Sequence, residues 1–435
     1  MFLSGVAAFS LVACGGASSP APRVDDPRPG DTRFISADGA GPAFDGPTRG
    51  GGAPAEDGAN DGAGGTSGDG GDRTVEEGDV YRAFGENLLL NLNFYRGLQV
   101  IDLSDLANPR VLSRLEVSGM PVELYVAGDR AVVLLNDWIG YYGSRFSPAL
   151  SQVGGGLILL VDLSNPQDPS VIGSEVVPGT IRTSRLARFG EQLALYVVSN
   201  DWQAAGGNGG GYGGSAVTAV RSFDLSGSSV LPRSQLDLGG WVADIQATPE
   251  ALLVARTDWT AGTAASRVSL VDISRTDGVM VEGDEVQLAG VVSTQFNMDL
   301  HKGILRVVSG STWGGTPHNH LETFDASDPA HLVPVDAKTF GTGESLFGTM
   351  FLGNSAFFVT YLRQDPFHAF EITDEGVATE KSQFIVSGWN DWFRPVFSGS
   401  RLVGIGVDDA SSRKLAVSLY DVTDLESSNP LVERA

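Results

Sequence analysis

One short pattern limits the folds open to this chain more than any other feature. It is an apolar strand that ends in a carboxylate and runs through a small or hydroxyl residue into a turn. Four clear copies are Val100-Ile101-Asp102-Leu103-Ser104, Leu160-Val161-Asp162-Leu163-Ser164, Ser222-Phe223-Asp224-Leu225-Ser226 and Leu270-Val271-Asp272-Ile273-Ser274. Weaker copies are centred on Asp325, Glu371 and Asp421. The seven acids are 60, 62, 48, 53, 46 and 50 residues apart, a unit of about 52 residues. Each unit holds four short β-branched and apolar runs bounded by Gly, Pro, Asn or Asp; in the second they are 122–126, 131–135, 157–163 and 170–177. A glycine precedes the first run of each later unit, at Gly119, Gly179, Gly240, Gly290, Gly341 and Gly388. No unit has a helix-length periodic segment. Four strands repeated at this length predict an all-β chain, a β-propeller of seven four-stranded blades over 74–435, with an eight-bladed or incomplete ring as alternatives. The repeated acids have a structural explanation: a carboxylate two residues before Ser or Thr can accept the backbone N–H groups of its own turn.

The first residues differ in kind. Residues 1–13 form an apolar run too short to span a bilayer as a helix but of signal-peptide length. Leu11-Val12-Ala13-Cys14 resembles a bacterial lipobox, in which the cysteine is lipidated and becomes the mature N-terminus. The expectation is a signal peptide over 1–14, with Cys14 carrying the only membrane attachment, in the outer membrane or at the cell surface. Residues 15–73 are Gly, Ala, Pro, Ser and Asp with few large apolar side chains, a composition that predicts a disordered tether. Within it, Asp57 to Gly62 resembles a calcium loop only faintly, lacking the closing glutamate.

Charge narrows the partners. With 53 Asp plus Glu against 29 Lys plus Arg, four of them lysines, the net charge is -24. Nucleic acids and anionic lipid surfaces, which reward clustered Lys and Arg, are therefore excluded as partners. The single cysteine excludes a disulfide framework and a multi-thiolate metal site within the chain.

Longer stretches carry a family resemblance. Asp79-Val80-Tyr81-Arg82, the run from Tyr95 to Ser104, Thr360-Tyr361 with Asp365-Pro366-Phe367, Ser387-Gly388-Trp389, the run from Leu402 to Asp409 and that from Lys414 to Thr423 occur in family order. The chain resembles secreted bacterial and archaeal proteins with a C-terminal β-propeller distantly related to WD-type repeats. The resemblance covers about residues 76 to 428. It implies the fold and an exported location, with no catalytic residues to carry over. Members of this kind continue past the seventh acid, so the resemblance also implies that this chain stops early.

In a propeller blade, the second-to-third and blade-to-blade connections lie on one face. Here the second-to-third connections are long and glycine-rich, as in 139–156 and 203–215, and long loops on a rigid scaffold commonly carry function. Trp138, Trp202 and Trp259 each follow an acid, Asp137, Asp201 and Asp258, at the end of a second strand, and Trp313 matches them in the fifth unit. Trp241, Trp389 and Trp392, the last after Asp391, sit at the start of a first strand. All seven map to the same face. Aromatic plates beside acceptors suit stacking on a sugar or gripping a peptide; the same rings could equally pack between blades, with the acids capping loops.

Catalytic patterns are scarce. His318 and His320 could begin a metal site, but His301 falls at the opposite face, so neither a metal nor another cofactor is expected. There is no HExxH, GxSxG or GxxxxGK[ST]. The sequence thus favours a binding or scaffolding module for a protein, peptide or glycan. A hydrolase with acids in the central channel, or a purely structural envelope protein, are the alternatives.

Overall fold

The computed structural model describes residues 73–435 other than 145–146, 153, 205–213, 261–262, 312–317, 362–364, 387–388, 409–413 and 428. Cys14, the segment before it, the predicted tether up to residue 72, Trp313 and Gly388 lie outside the described residues.

Seven antiparallel four-stranded sheets follow one another along the chain: blade 1 (81–115), blade 2 (120–177), blade 3 (180–239), blade 4 (241–287), blade 5 (298–340), blade 6 (345–386) and blade 7 (389–434). Strand order within each blade follows chain order, and the first strands of neighbouring blades approach one another around the axis. The repeat read from the sequence is therefore a repeat of blades. In blade 2, part of the long glycine-rich connection is itself ordered as a hairpin, Ile139–Ser144 with Ser147–Gln152. The turn acids have the expected role: Asp102, Asp162, Asp224, Asp272, Asp325 and Asp421 each accept the N–H of the residue two positions on, at 2.8 to 3.1 Å. Glu371, one methylene longer, pairs instead with Lys381 at 2.9 Å.

Packing between blades supplies the core. Leu90, Val100, Val133 and Leu159 join blades 1 and 2; Tyr125, Leu134, Leu195 and Phe223 join 2 and 3. Tyr196, Val220, Ile245 and Leu252 join 3 and 4, and Leu253, Leu270, Leu305 and Phe324 join 4 and 5. Val308, Leu321, Phe358 and Phe370 join 5 and 6, while Phe357, Phe367, Phe393 and Tyr420 join 6 and 7. Each fully buried side chain of this size contributes about 1.5–3 kcal/mol. A strand with a blade on either side is buried on both faces and reads as a continuous apolar run. Val132, Val133, Leu134 and Leu135 in blade 2 do so.

Blades 1 and 7 differ. In blade 1 burial alternates, with Leu90, Leu92, Leu98 and Val100 inside and Leu89, Asn91, Gln99 and Ile101 half-buried. In blade 7, Leu402, Ala416 and Tyr420 are buried while Leu415 and Val417 are exposed. Among the described residues no core cluster joins blade 7 to blade 1, and each of the two blades is built from its own end of the chain. Among the described residues, six core clusters thus join the seven blades in chain order.

A further strand lies outside the blade repeat at the N-terminal end of the described residues. Arg73–Glu77 pairs antiparallel with the channel-side edge of the first strand of blade 3, Thr180–Phe189, in the register Arg73↔Phe189 to Glu77↔Arg185. This makes blade 3 a five-stranded sheet.

Candidate functional site

Two regions bring polar or aromatic groups together: the rim with the long connections, and the channel. At the rim, the start of each first strand lies against the end of the second, as in Met120↔Asn136, Thr180↔Asn200, Trp241↔Thr257 and Trp389↔Val407. The register therefore sets Trp138, Trp202, Trp241, Trp259, Trp389 and Trp392 at that end of their blades. The side chains of Trp202, Trp259, Trp389, Asp258 and Asp391 lie outside the described residues. Trp241 is 44% exposed, whereas Trp138 and Trp392 are half-buried. A Cβ on Gly119 would crowd the Asn136 carbonyl at 3.1 Å and the Cα of Trp138 at 3.2 Å, so glycine here lets the second strand's end approach closely. Asp137 adopts φ 46° and donates its N–H to the Gly155 carbonyl at 3.0 Å, turning the chain into the hairpin. Asp201 is exposed.

The rim half of the first strands carries a further regularity. In blades 2, 3, 4, 6 and 7 a β-bulge interrupts the pairing two residues in, at Pro121/Glu123, Ile181/Thr183, Val242/Asp244, Leu346/Gly348 and Asn390/Trp392. Blade 5 has at this level a short 3-10 turn, Gln295–Asn297, before its first strand. A bulge adds a residue, bends the strand and re-aims its side chains. Met120, Phe296 and Phe347 lie in this zone and are 50%, 45% and 43% exposed.

Just inside the bulges, a polar network crosses the channel. Arg185 of blade 3 is buried and donates to the Gln295 side chain of blade 5, to the Ile245 carbonyl of blade 4 at 3.0 Å and to the Ser184 carbonyl at 2.7 Å. Its guanidinium lies 3.7 Å from Glu77, whose two oxygens accept the Gln295 amide at 2.8 and 2.9 Å. Asp244 accepts the N–H groups of Ile245 and Gln295, both at 2.9 Å. Glu123 of blade 2 accepts from Ser184 and from the Tyr125 hydroxyl, the latter at 3.2 Å. Burial pushes the Glu123 and Asp244 carboxyls above their ordinary range, with the Arg185 charge opposing it. Burial, with the neighbouring Glu123 charge, also pushes the Tyr125 hydroxyl well up. Burial alone would lower Arg185, but Glu77, Tyr125, Glu123 and Asp244 raise it overall.

The sequence offered no motif for this network because its members come from four blades and the N-terminal strand. One signal was available: Glu123 and Asp244 each stand four residues after a repeat glycine, Gly119 and Gly240, inside otherwise apolar strands. Blade 6 holds another chain of groups: Thr360 Oγ1 lies 3.0 Å from His368 Nε2, and Glu380 lies 2.7 Å from His368 Nδ1. That spacing resembles a nucleophile with its base, but Thr360 is fully buried and also donates to Glu344 at 2.6 Å, so the set braces the blade. His301 closes the first-to-second turn of blade 5, opposite Ile304, while His318 and His320 lie at the other end beside Gly310.

Comparison with known proteins agrees with the blade architecture. A family model described as Beta propeller domain matches residues 210–433. An uncharacterized protein of Methanocaldococcus jannaschii is 25% identical over 146 residues, 32% of this chain and 22% of that protein. One of Archaeoglobus fulgidus is 23% identical over 138 residues, 32% of this chain and 21% of that protein. The matched stretch spans about a fifth of either relative's length. Among solved structures, Kluyveromyces lactis Hsv2p is 12% identical, with a TM-score of 0.41 and coverage of 82% of this chain and 98% of that one. A functionally unknown protein from Desulfotomaculum acetoxidans is 11% identical, with a TM-score of 0.40 and coverage of 80% and 95%.

Proposed function

The chain belongs to the Beta propeller domain family, and from that premise we propose that it is an extracytoplasmic, lipid-anchored binding or scaffolding module whose ligand, a protein, peptide or glycan, is met at the rim of long connections. The observation that carries this reading is that several blades each place an exposed apolar side chain in this rim half. The molecule buries Phe357, Phe358, Phe367 and Phe370 almost completely, yet leaves Met120, Trp241, Phe296 and Phe347 in water in the rim half of four different blades. Large exposed apolar side chains brought to one rim by different blades suit an interaction site.

The channel supports binding over catalysis. Its carboxylates are committed to Ser184, Tyr125 and backbone N–H groups of the chain itself. The raised carboxyls of Glu123 and Asp244 are what favour the hydrolase alternative, and loss of any hydrolytic activity in a Glu123→Gln/Asp244→Asn chain would support it. The lipid anchor rests on the sequence around Cys14. Arg73 pairs with Phe189, at the far end of the strand whose other end, Thr180, is at the rim. A tether preceding Arg73 is therefore joined to the face away from the rim.

Two experiments test the proposal. Glycan arrays and pull-downs from envelope extracts should show a ligand that a Trp241→Ala/Phe347→Ala chain loses while its thermal unfolding stays close to native; equal capture by both would remove the rim site. Palmitate labelling should mark the native chain and not the Cys14→Ser chain; an unlabelled native chain would remove the anchor.

A further inference from the structure

We infer that the channel-side edge of Thr180–Phe189 is a strand-addition site for an extended acidic peptide, occupied in this structure by the chain's own residues Arg73–Glu77. It is separate from the rim and does not depend on the rim's having a ligand. An unpaired strand edge presents a row of backbone donors and acceptors that any extended segment can complete, with alternate side chains providing selectivity. The bound segment shows what this edge selects. Its side chains divide by the two-residue period of a strand. Arg73, Val75 and Glu77 turn toward blades 4 and 5. Arg73 donates to the carbonyls of Ser274 and Arg275 at 2.8 and 3.2 Å and to the Tyr196 hydroxyl at 3.2 Å. Val75 packs on the core shared by blades 3 and 4, and Glu77 meets Gln295 and Arg185. Glu76 turns the other way and takes a two-pronged grip from Arg188, at 2.6 and 3.3 Å, and the same guanidinium also donates to the Val126 carbonyl of blade 2.

The hold is mainly polar. One half-buried valine is the only large apolar side chain in the segment, and the Glu76–Arg188 pair is partly exposed. Segments with few buried apolar contacts and exposed ion pairs open at the low end of a protein's stability range. When Arg73–Glu77 leaves, the backbone of Arg185 to Phe189 loses its partner, and two guanidinium groups, Arg185 and Arg188, lose carboxylates. Arginine forks favour bidentate carboxylate partners, so the ligand is an extended segment with consecutive acids after a small apolar residue, as in Val75-Glu76-Glu77.

A synthetic peptide of residues 72–78 tests this on the full chain. With millimolar peptide, the backbone amides of 74–77 should exchange with deuterium about tenfold faster than without it, as displacement exposes them, while a scrambled peptide has no effect. In a Glu76→Lys/Glu77→Lys chain, whose own strand is unpinned, fluorescently labelled peptide should bind about tenfold tighter than to the native chain. Adding Arg188→Ala should weaken that binding, because the glutamate of the peptide then loses its guanidinium partner while the chain's own strand gains none. The inference is overturned if the amides of 74–77 exchange no faster with peptide and the charge-reversed chain, folded by circular dichroism, binds none. If the charge-reversed chain does not fold, the exchange experiment on the native chain decides alone.

Discussion

Gln295 of blade 5 holds both carboxylate oxygens of Glu77, at 2.8 and 2.9 Å, although 218 residues separate the two in sequence. The same side chain accepts from Arg185 of blade 3, so one amide ties the N-terminal strand to the channel wall and links two blades that are not neighbours. Replacing it with leucine removes a donor and an acceptor and leaves Arg185 short of a partner in a buried setting. Gln295→Leu should lower unfolding stability by about 1–3 kcal/mol, the cost of leaving a buried polar partner unsatisfied. Denaturant midpoints measure it; an unchanged midpoint would mean that water replaces the amide.

Gly78 is where the chain leaves the channel strand. A Cβ there would lie 2.6 Å from Glu123 Cβ and 2.9 Å from the ring of Tyr125, both fixed in the wall. Gly78→Ala should therefore cost about 1–3 kcal/mol, as overpacking does, and should speed hydrogen exchange in 74–77 ahead of the rest of the protein. Exchange that stays uniform would show that the wall yields instead.

The carboxyls divide into two groups that respond to pH in opposite directions. Glu123 is raised above its ordinary 4.5 by burial, so its contribution to stability is complete below 4.5 and is lost as pH rises through the folded-state value. Asp102 is lowered to about 2, chiefly by the Ser104 N–H, so its contribution is present above 3.8 and is lost as pH falls from 3.8 toward 2. Relative to the native chain, Glu123→Gln should gain in melting temperature as pH rises above 4.5. Asp102→Asn should close its deficit as pH falls below 3.8. Melting curves across the acid range test both slopes; a Glu123→Gln difference independent of pH would place that carboxyl at its ordinary value.

What could be read along the chain, and what could not, follows from distance in sequence. The turn acids, several of the repeat glycines and the four strands of each blade are local features, set by φ/ψ needs and period-two burial within about ten residues. Gly179 and Gly240, for example, adopt φ 78° and 85°. The hairpin in 139–152 was hidden because its Gly and Ser content reads as loop. The channel network was hidden because Glu77, Glu123, Arg185, Asp244 and Gln295 are each isolated in sequence, and only closure of the blades around an axis brings them together. Tryptophan marked the rim but not its other exposed apolar residues: Met120, Phe296 and Phe347 carry no motif, and their significance comes from where a bulge or a 3-10 turn falls in a first strand.

The exposed face of blade 7 gives the sharpest contrast in the molecule. Val220, in the third strand of blade 3, is fully buried between blades 3 and 4, whereas Val417, in the third strand of blade 7, is 44% exposed. Both are valines in antiparallel strands of like order, so the same substitution isolates the neighbouring blade. Val220→Ser removes apolar burial and adds a buried hydroxyl, and should cost about 2–4 kcal/mol. Val417→Ser should stay within about 0.5 kcal/mol, as surface changes do. Equal losses at the two positions, read from denaturant midpoints, would show that a blade covers Val417 in solution. Unequal losses would locate the seam between blades 7 and 1.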